Sequence, residues 1–195
     1  MLSRLIHILK RALDEFLPRP DDFDRVAGVS TSGLISIFRL KIVGSHRHGA
    51  IRYQAVSPDL FSRCLDQLDI AYPEFTFVDL GCGKGRALLL ARKYGFRRLV
   101  GVEFAPALVK CARVNVPGAE IVLGDAAEFR FPDTPLVVFL YNPFGSEVLQ
   151  KVVANLAHST GWLVYVTPVH GSILRDGGFH FVHGKPAFSV WRLPC

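Results

Sequence analysis

The sequence predicts an α/β domain, a three-layer sandwich with helices on both faces of a mostly parallel sheet. Three observations carry this. From residue 75 onward, short apolar runs alternate with helical segments, the rhythm of successive βαβ units. The first of those runs, Phe77-Val78-Asp79-Leu80, feeds directly into a glycine-rich turn and a helical segment. Two strand-like runs, 179–183 and 188–193, then flank Gly184-Lys185-Pro186, which reads as an antiparallel hairpin at the sheet edge.

In chain order, the first element is an amphipathic helix. Leu2, Leu5, Ile6, Leu9, Leu13, Phe16 and Leu17 recur at helical spacing, with Arg4, Lys10 and Arg11 at other positions. This stretch lacks the cleavage site and continuous apolar core of a signal peptide, so it reads as a helix packed on the domain or on a second subunit. Contact of residues 1–17 with a membrane surface is the alternative. Pro18 and Pro20 stop the helix, and the polar stretch 21–24 reads as a linker. Residues 26–48 mix Gly, Ser and Thr with short apolar pieces of no clear period, and are expected to be irregular, a flap over the site.

Residues 57–68 form the next helix, with Ser57 as cap, Pro58 in the first turn and Leu60, Phe61, Cys64, Leu65 and Leu68 on one face. Strands are expected over 75–80, 99–103, 120–123, 136–141 and 162–167, and helices over 86–94, 106–115 and 147–157. With the hairpin, the sheet has seven strands. The chain divides into an N-terminal extension, 1–50, and a folded domain, 51–195.

Composition narrows the class. Of the 195 residues, 50% are hydrophobic and 21% charged, a balance that excludes a disordered chain. The net charge of +6 is spread along the sequence without long basic runs, so it permits an acidic partner without demanding one. Cys64, Cys82, Cys111 and Cys195 form no CxxC pair, which points away from a zinc site or a disulfide framework and toward reduced thiols in the cytoplasm. No apolar run approaches the ~20 residues that span a bilayer.

The strongest local signal is Asp79-Leu80-Gly81-Cys82-Gly83-Lys84-Gly85-Arg86, a strand end, a turn of three glycines and a helix start. A dinucleotide-binding loop receives pyrophosphate on the helix N-terminus and has Gly or Ala at the last motif position, where Arg86 stands here. A carboxylate beside the loop would also repel phosphate. The segment resembles motif I of the class I S-adenosylmethionine-dependent methyltransferases, whose fold is a Rossmann-like seven-stranded sandwich. In that family the glycines, here Gly81, Gly83 and Gly85, lie under the methionine and ribose parts of the cofactor, and the preceding acid, here Asp79, holds the amino group. Glu103 and Asp125 each end a successive strand, at the sheet edge where ligands of open α/β sheets bind. The resemblance implies that Glu103 takes the ribose hydroxyls and Asp125 the adenine amino group, with Phe104 and Ala126 beside them.

After the fourth strand comes Tyr141-Asn142-Pro143-Phe144-Gly145-Ser146-Glu147-Val148. It resembles the (Asp/Asn)-Pro-Pro-(Tyr/Phe) motif of methyltransferases acting on planar nitrogens, with one proline present instead of two. It is also similar to the Asn-Phe-x-Phe-Gly-Pro-Glu-Val region of non-SET lysine methyltransferases, and the pattern from Tyr53 to Leu65 resembles mitochondrial lysine methyltransferases. The likeness implies that Asn142 and Phe144 position the acceptor and that Tyr53 and Asn142 also border the cofactor. It leaves open protein lysine, nucleic acid or a small molecule as the acceptor. A non-catalytic cofactor-binding module or partner subunit is the alternative to an enzyme, and a nicotinamide oxidoreductase is disfavoured by Asp79 and Arg86. No metal is expected. Of His46, His48, His158, His170, His180 and His183, His170 is the first candidate for a general base, because Thr167-Pro168-Val169-His170 follows the fifth strand.

Overall fold

Seven strands, β1 (Thr76–Leu80), β2 (Arg98–Glu103), β3 (Glu120–Leu123), β4 (Leu136–Tyr141), β5 (Gly161–Val166), β6 (His180–Lys185) and β7 (Phe188–Arg192), form one sheet in the order β3-β2-β1-β4-β5-β7-β6. The computed structural model describes residues 20–33, 54–141 and 144–194. The helix expected over 1–17, most of the irregular stretch, and the candidates Tyr53 and Asn142 lie outside the described residues. Among the described residues six helices accompany the sheet: α1 (Asp22–Ala27), α2 (Pro58–Leu65), α3 (Arg86–Ala91), α4 (Pro106–Asn115), α5 (Ser146–Asn155) and α6 (Gly171–Asp176). Among the described residues no helix is long and apolar enough to cross a membrane.

The first five strands run parallel, and β7 enters antiparallel between β5 and the edge strand β6. Every residue of β1 is buried, as expected of a strand covered on both faces. The pleat sends Phe77 toward α2, α3 and α4, with Val137, Phe139 and Val164 in the same layer. It sends Val78 and Leu80 to the opposite layer, with Val138 and Leu140 of β4, Val148, Leu149 and Val152 of α5, and Leu174 of α6. Chain connections leave β1 toward β2 on one side, whereas β4 and β5 build the other side, so the topological switch point of the sheet lies between β1 and β4.

Three expectations need correction. The polar stretch 21–24 is no linker: Asp21 accepts the Asp24 N–H at 2.9 Å as an N-cap, α1 follows, and Gly28 ends it at φ 66°. The helix at 86–94 keeps α geometry only to Ala91 and finishes as a 3-10 turn before Gly95. The hairpin turn sits at Pro186-Ala187, since β6 runs on through Gly184 and Lys185. Gly184 stays in the strand because the Phe181 ring lies over it; a Cβ there would meet Phe181 Cζ at 2.7 Å. Helix α6 was not anticipated, for six residues with one buried apolar side chain, Leu174, leave little periodicity to read.

Candidate active site

The glycine loop folds back over β2. The N–H groups of Gly81 and Cys82 both donate to the Val102 carbonyl, at 2.8 and 3.0 Å, and Gly81, Gly83 and Gly85 all have positive φ. Two glycines are required by close approach. A Cβ on Gly101 of β2 would stand 2.8 Å from Cys82 Sγ, and one on Gly85 would stand 2.6 Å from Val116 Cγ2. Gly101 was not singled out in the sequence, because its use appears only when Cys82 is laid on the sheet.

Asp79 and Glu103 point to the same sheet face, beneath this loop. Asp79 pairs with Gly101 across the β1–β2 ladder, and Glu103 stands two residues further along β2. Both are 4% exposed. Glu103 is held by backbone donors: Gly83 N–H to Oε2 at 2.9 Å and Ala105 N–H to Oε1 at 2.9 Å. Burial raises its pKa, and those N–H groups oppose the rise. The Asp79 carboxyl accepts no hydrogen bond among the described residues. Burial, and then the Glu103 charge, push its pKa up to about 8.

The loop's own cations do not neutralise this pair. Lys84 Nζ donates to the Ser32 carbonyl at 2.8 Å, and Arg86 pairs with Asp21 and Asp24 at 2.8 and 3.1 Å. Among the described residues, Asp79 and Glu103 are therefore buried acids with no cation paired to them, an arrangement that would repel a phosphate. A ligand bearing an ammonium, a sulfonium and sugar hydroxyls fits those acceptors.

The remaining candidates surround the same edge. Gly124 N–H donates to the Glu103 carbonyl at 3.0 Å, which brings the residue after it, Asp125, beside the end of β2. Asp125 Oδ1 accepts the Ala127 N–H at 2.8 Å and so caps the 3-10 turn Ala126–Glu128. Phe104 is half-buried and Ala126 buried. Tyr141 ends β4, half-buried, next to β1 in the sheet. Phe144 is 9% exposed and packs with Val148 and Leu149 in the apolar layer under α5. His170 directly precedes α6 past the end of β5, where Thr167 has φ 53°. His158 stands at the opposite, amino end of β5, and His180 and His183 lie on the edge strand β6.

Comparison with known proteins addresses this geometry directly. Residues 77–160 match the family model described as a methyltransferase domain, a span from inside β1 to the start of β5. The matched span contains Asp79, the glycine loop, Glu103, Asp125 and Phe144. The ribosomal protein L11 methyltransferase of Alteromonas mediterranea is 34% identical over 106 residues, 52% of this chain and 36% of that protein. A trans-aconitate 2-methyltransferase of an Enterobacter species is 37% identical over 54 residues, 27% of this chain and 21% of that protein. The chain thus spans about a third or less of the length of these curated relatives. A TehB-like SAM-dependent methyltransferase from Corynebacterium glutamicum shares the fold at a TM-score of 0.51 and 17% identity, over 71% of this chain and 88% of that one. The seven-stranded sheet, with its C-terminal antiparallel hairpin, has the Rossmann-like fold of that methyltransferase.

Proposed function

We propose that the chain is an S-adenosylmethionine-dependent methyltransferase that transfers a methyl group to a nitrogen acceptor, a protein lysine or another amine. The observation that carries this reading is the pair of buried acids, Asp79 and Glu103, under a glycine loop whose Lys84 and Arg86 are committed elsewhere. The bound cofactor supplies an activated methyl group on a cationic sulfur. Asp79 orients the cofactor ammonium by charge. Glu103 keeps acceptor capacity beyond its two backbone contacts and takes the ribose hydroxyls. The second oxygen of Asp125 is available to the adenine amino group. Tyr53, Gly81, Gly83, Gly85, Phe104 and Ala126 complete the cofactor wall in this proposal.

On the acceptor side we place Tyr141, which ends β4, with Asn142 and Phe144 after it in the sequence. Alignment of the nucleophile and exclusion of water are what these residues contribute. An amine acceptor sheds its proton more readily in an apolar wall facing a cationic sulfur, so the chemistry requires no dedicated general base. The named relatives act on unlike molecules, ribosomal protein L11 and trans-aconitate, and so leave the acceptor open. The proposal includes a cytoplasmic location and residues 51–195 as the catalytic unit.

Calorimetry with S-adenosylmethionine and its demethylated product, S-adenosylhomocysteine, is the first test, and micromolar binding of both is expected. Labelled methyl transfer into fractionated lysate, with and without nuclease or protease, then assigns the acceptor class. Absence of heat with both ligands overturns the cofactor assignment. Binding without transfer to any fraction would make the chain a cofactor-binding module.

A further inference from the structure

We propose that residues 21–33 form a clamp on the glycine loop and that Asp24 is a positioning residue for cofactor binding, acting through Arg86. The inference rests on the cofactor reading above. Asp24, in α1, is 1% exposed. Its carboxylate accepts from the Thr31 N–H at 2.8 Å, the Thr31 hydroxyl at 2.6 Å, the Ser32 N–H at 2.6 Å and Arg86 Nη2 at 3.1 Å. Burial by itself would raise its pKa, but the bonds from Thr31 and Ser32 outweigh burial and hold it below the usual carboxylate range. Asp24 is therefore a fixed negative charge.

Arg86 is its counter-charge and the residue directly after Gly85. It is 3% exposed, meets Asp21 at 2.8 Å and the Thr31 hydroxyl, and lies 4.5 Å from the centre of the Phe23 ring. On the other side of Gly85, Lys84 Nζ donates to the Ser32 carbonyl at 2.8 Å. Asn115 of α4 completes the tie, donating to the carbonyls of Lys84 at 3.0 Å and Ser30 at 3.1 Å. Both neighbours of Gly85 are thus fastened to one short N-terminal segment.

Stability alone does not account for this arrangement, since a buried ion pair usually gains little over well-packed apolar side chains. A many-donor pair instead imposes a single geometry. The glycine loop is where a single geometry matters, because its positive-φ glycines have the most conformational freedom to lose on binding. Glu103 pins Gly83 from the sheet side; Asp24, through Arg86, pins the other end of the loop. A loop set before the ligand arrives binds more tightly, by the fraction of molecules already competent.

The test compares three variants with the full wild-type chain. Asp24→Asn should weaken S-adenosylhomocysteine binding about ten-fold or more and accelerate amide hydrogen exchange at residues 81–86, with exchange in β4 and β5 unchanged. Leu174→Ala, in the opposite layer, should lower Tm with neither effect. Asp21→Ser keeps a capping side chain for α1 and removes only one carboxylate from Arg86, so it should fold and weaken binding about three-fold. Unchanged affinity in Asp24→Asn and Asp21→Ser, or the same affinity loss in Leu174→Ala, overturns the proposal. If Asp24→Asn does not fold, Asp21→Ser decides by the same two readouts. If the wild type binds no S-adenosylhomocysteine, the cofactor reading falls by itself. Exchange at 81–86 then decides the clamp, acceleration supporting it and unchanged exchange removing it.

Discussion

At neutral pH Asp79 holds its proton in the ligand-free protein, because burial and the nearby Glu103 push its pKa from 3.8 to about 8. A cationic ligand needs the ionised form, so affinity for S-adenosylhomocysteine should rise by up to about ten-fold per pH unit between pH 6 and pH 8, with proton release on binding. The rise levels off above about pH 8, where Asp79 is already ionised in the free protein. Calorimetry in two buffers of different ionisation enthalpy measures both; equal affinity at pH 6 and 8 would separate Asp79 from the bound cation. For stability the sign is opposite. A carboxyl with a raised folded-state pKa stabilises most below its unfolded pKa, and that contribution is lost as pH rises through about 8. Asp79→Asn should therefore raise Tm of the ligand-free protein at pH 8, leave it near wild type at pH 4, and abolish most ligand binding. Asp79, Glu103 and the glycines were legible in the sequence because their spacing along the chain carries the signal. Asp24 was not, because its partners Thr31, Ser32 and Arg86 are joined to it only by folding.

Strands β3 and β4 and helix α4 fall where the apolar period places them, each bounded by turn residues or proline. Elements α1 and α6, six residues each, escaped that reading for want of turns enough to show a period. The sequence does carry local signs of α1, an Asp at the cap and Gly28 after the last turn, but such signs mean little until packing selects them. Packing of the loop on β2 makes its own prediction. Gly101→Val would drive a side chain into Cys82 and Leu88, and should cost about 2 kcal/mol in denaturant unfolding. The same variant should lose cofactor affinity out of proportion to that cost, because the displaced atoms belong to the glycine loop. Gly124→Ala, where the nearest side-chain atom would lie 3.8 Å away, is the matched control and should leave both nearly unchanged.

Across the whole molecule, ligand binding and folding are linked, so a cofactor held under the loop should stabilise the native state. With S-adenosylhomocysteine at 100 times its Kd, the gain is about 2.7 kcal/mol. At about 2–4 °C per kcal/mol for a chain of this size, that should appear as a Tm rise of about 5–11 °C. Glu103→Gln should shrink the shift, because it weakens the acceptor for Gly83 and for the ligand alike. The alternation of apolar runs with helical segments determined the fold class by itself, and the strand-glycine-helix order around Asp79 marked the candidate site, because both are written in local periodicity and spacing. Only the tertiary structure decided that Lys84 and Arg86 turn away from the acids, that Gly101 is needed to seat Cys82, and that residues 21–33 hold the loop. Those facts depend on contacts between segments up to 85 residues apart, such as Ser30 with Asn115, which no local pattern records.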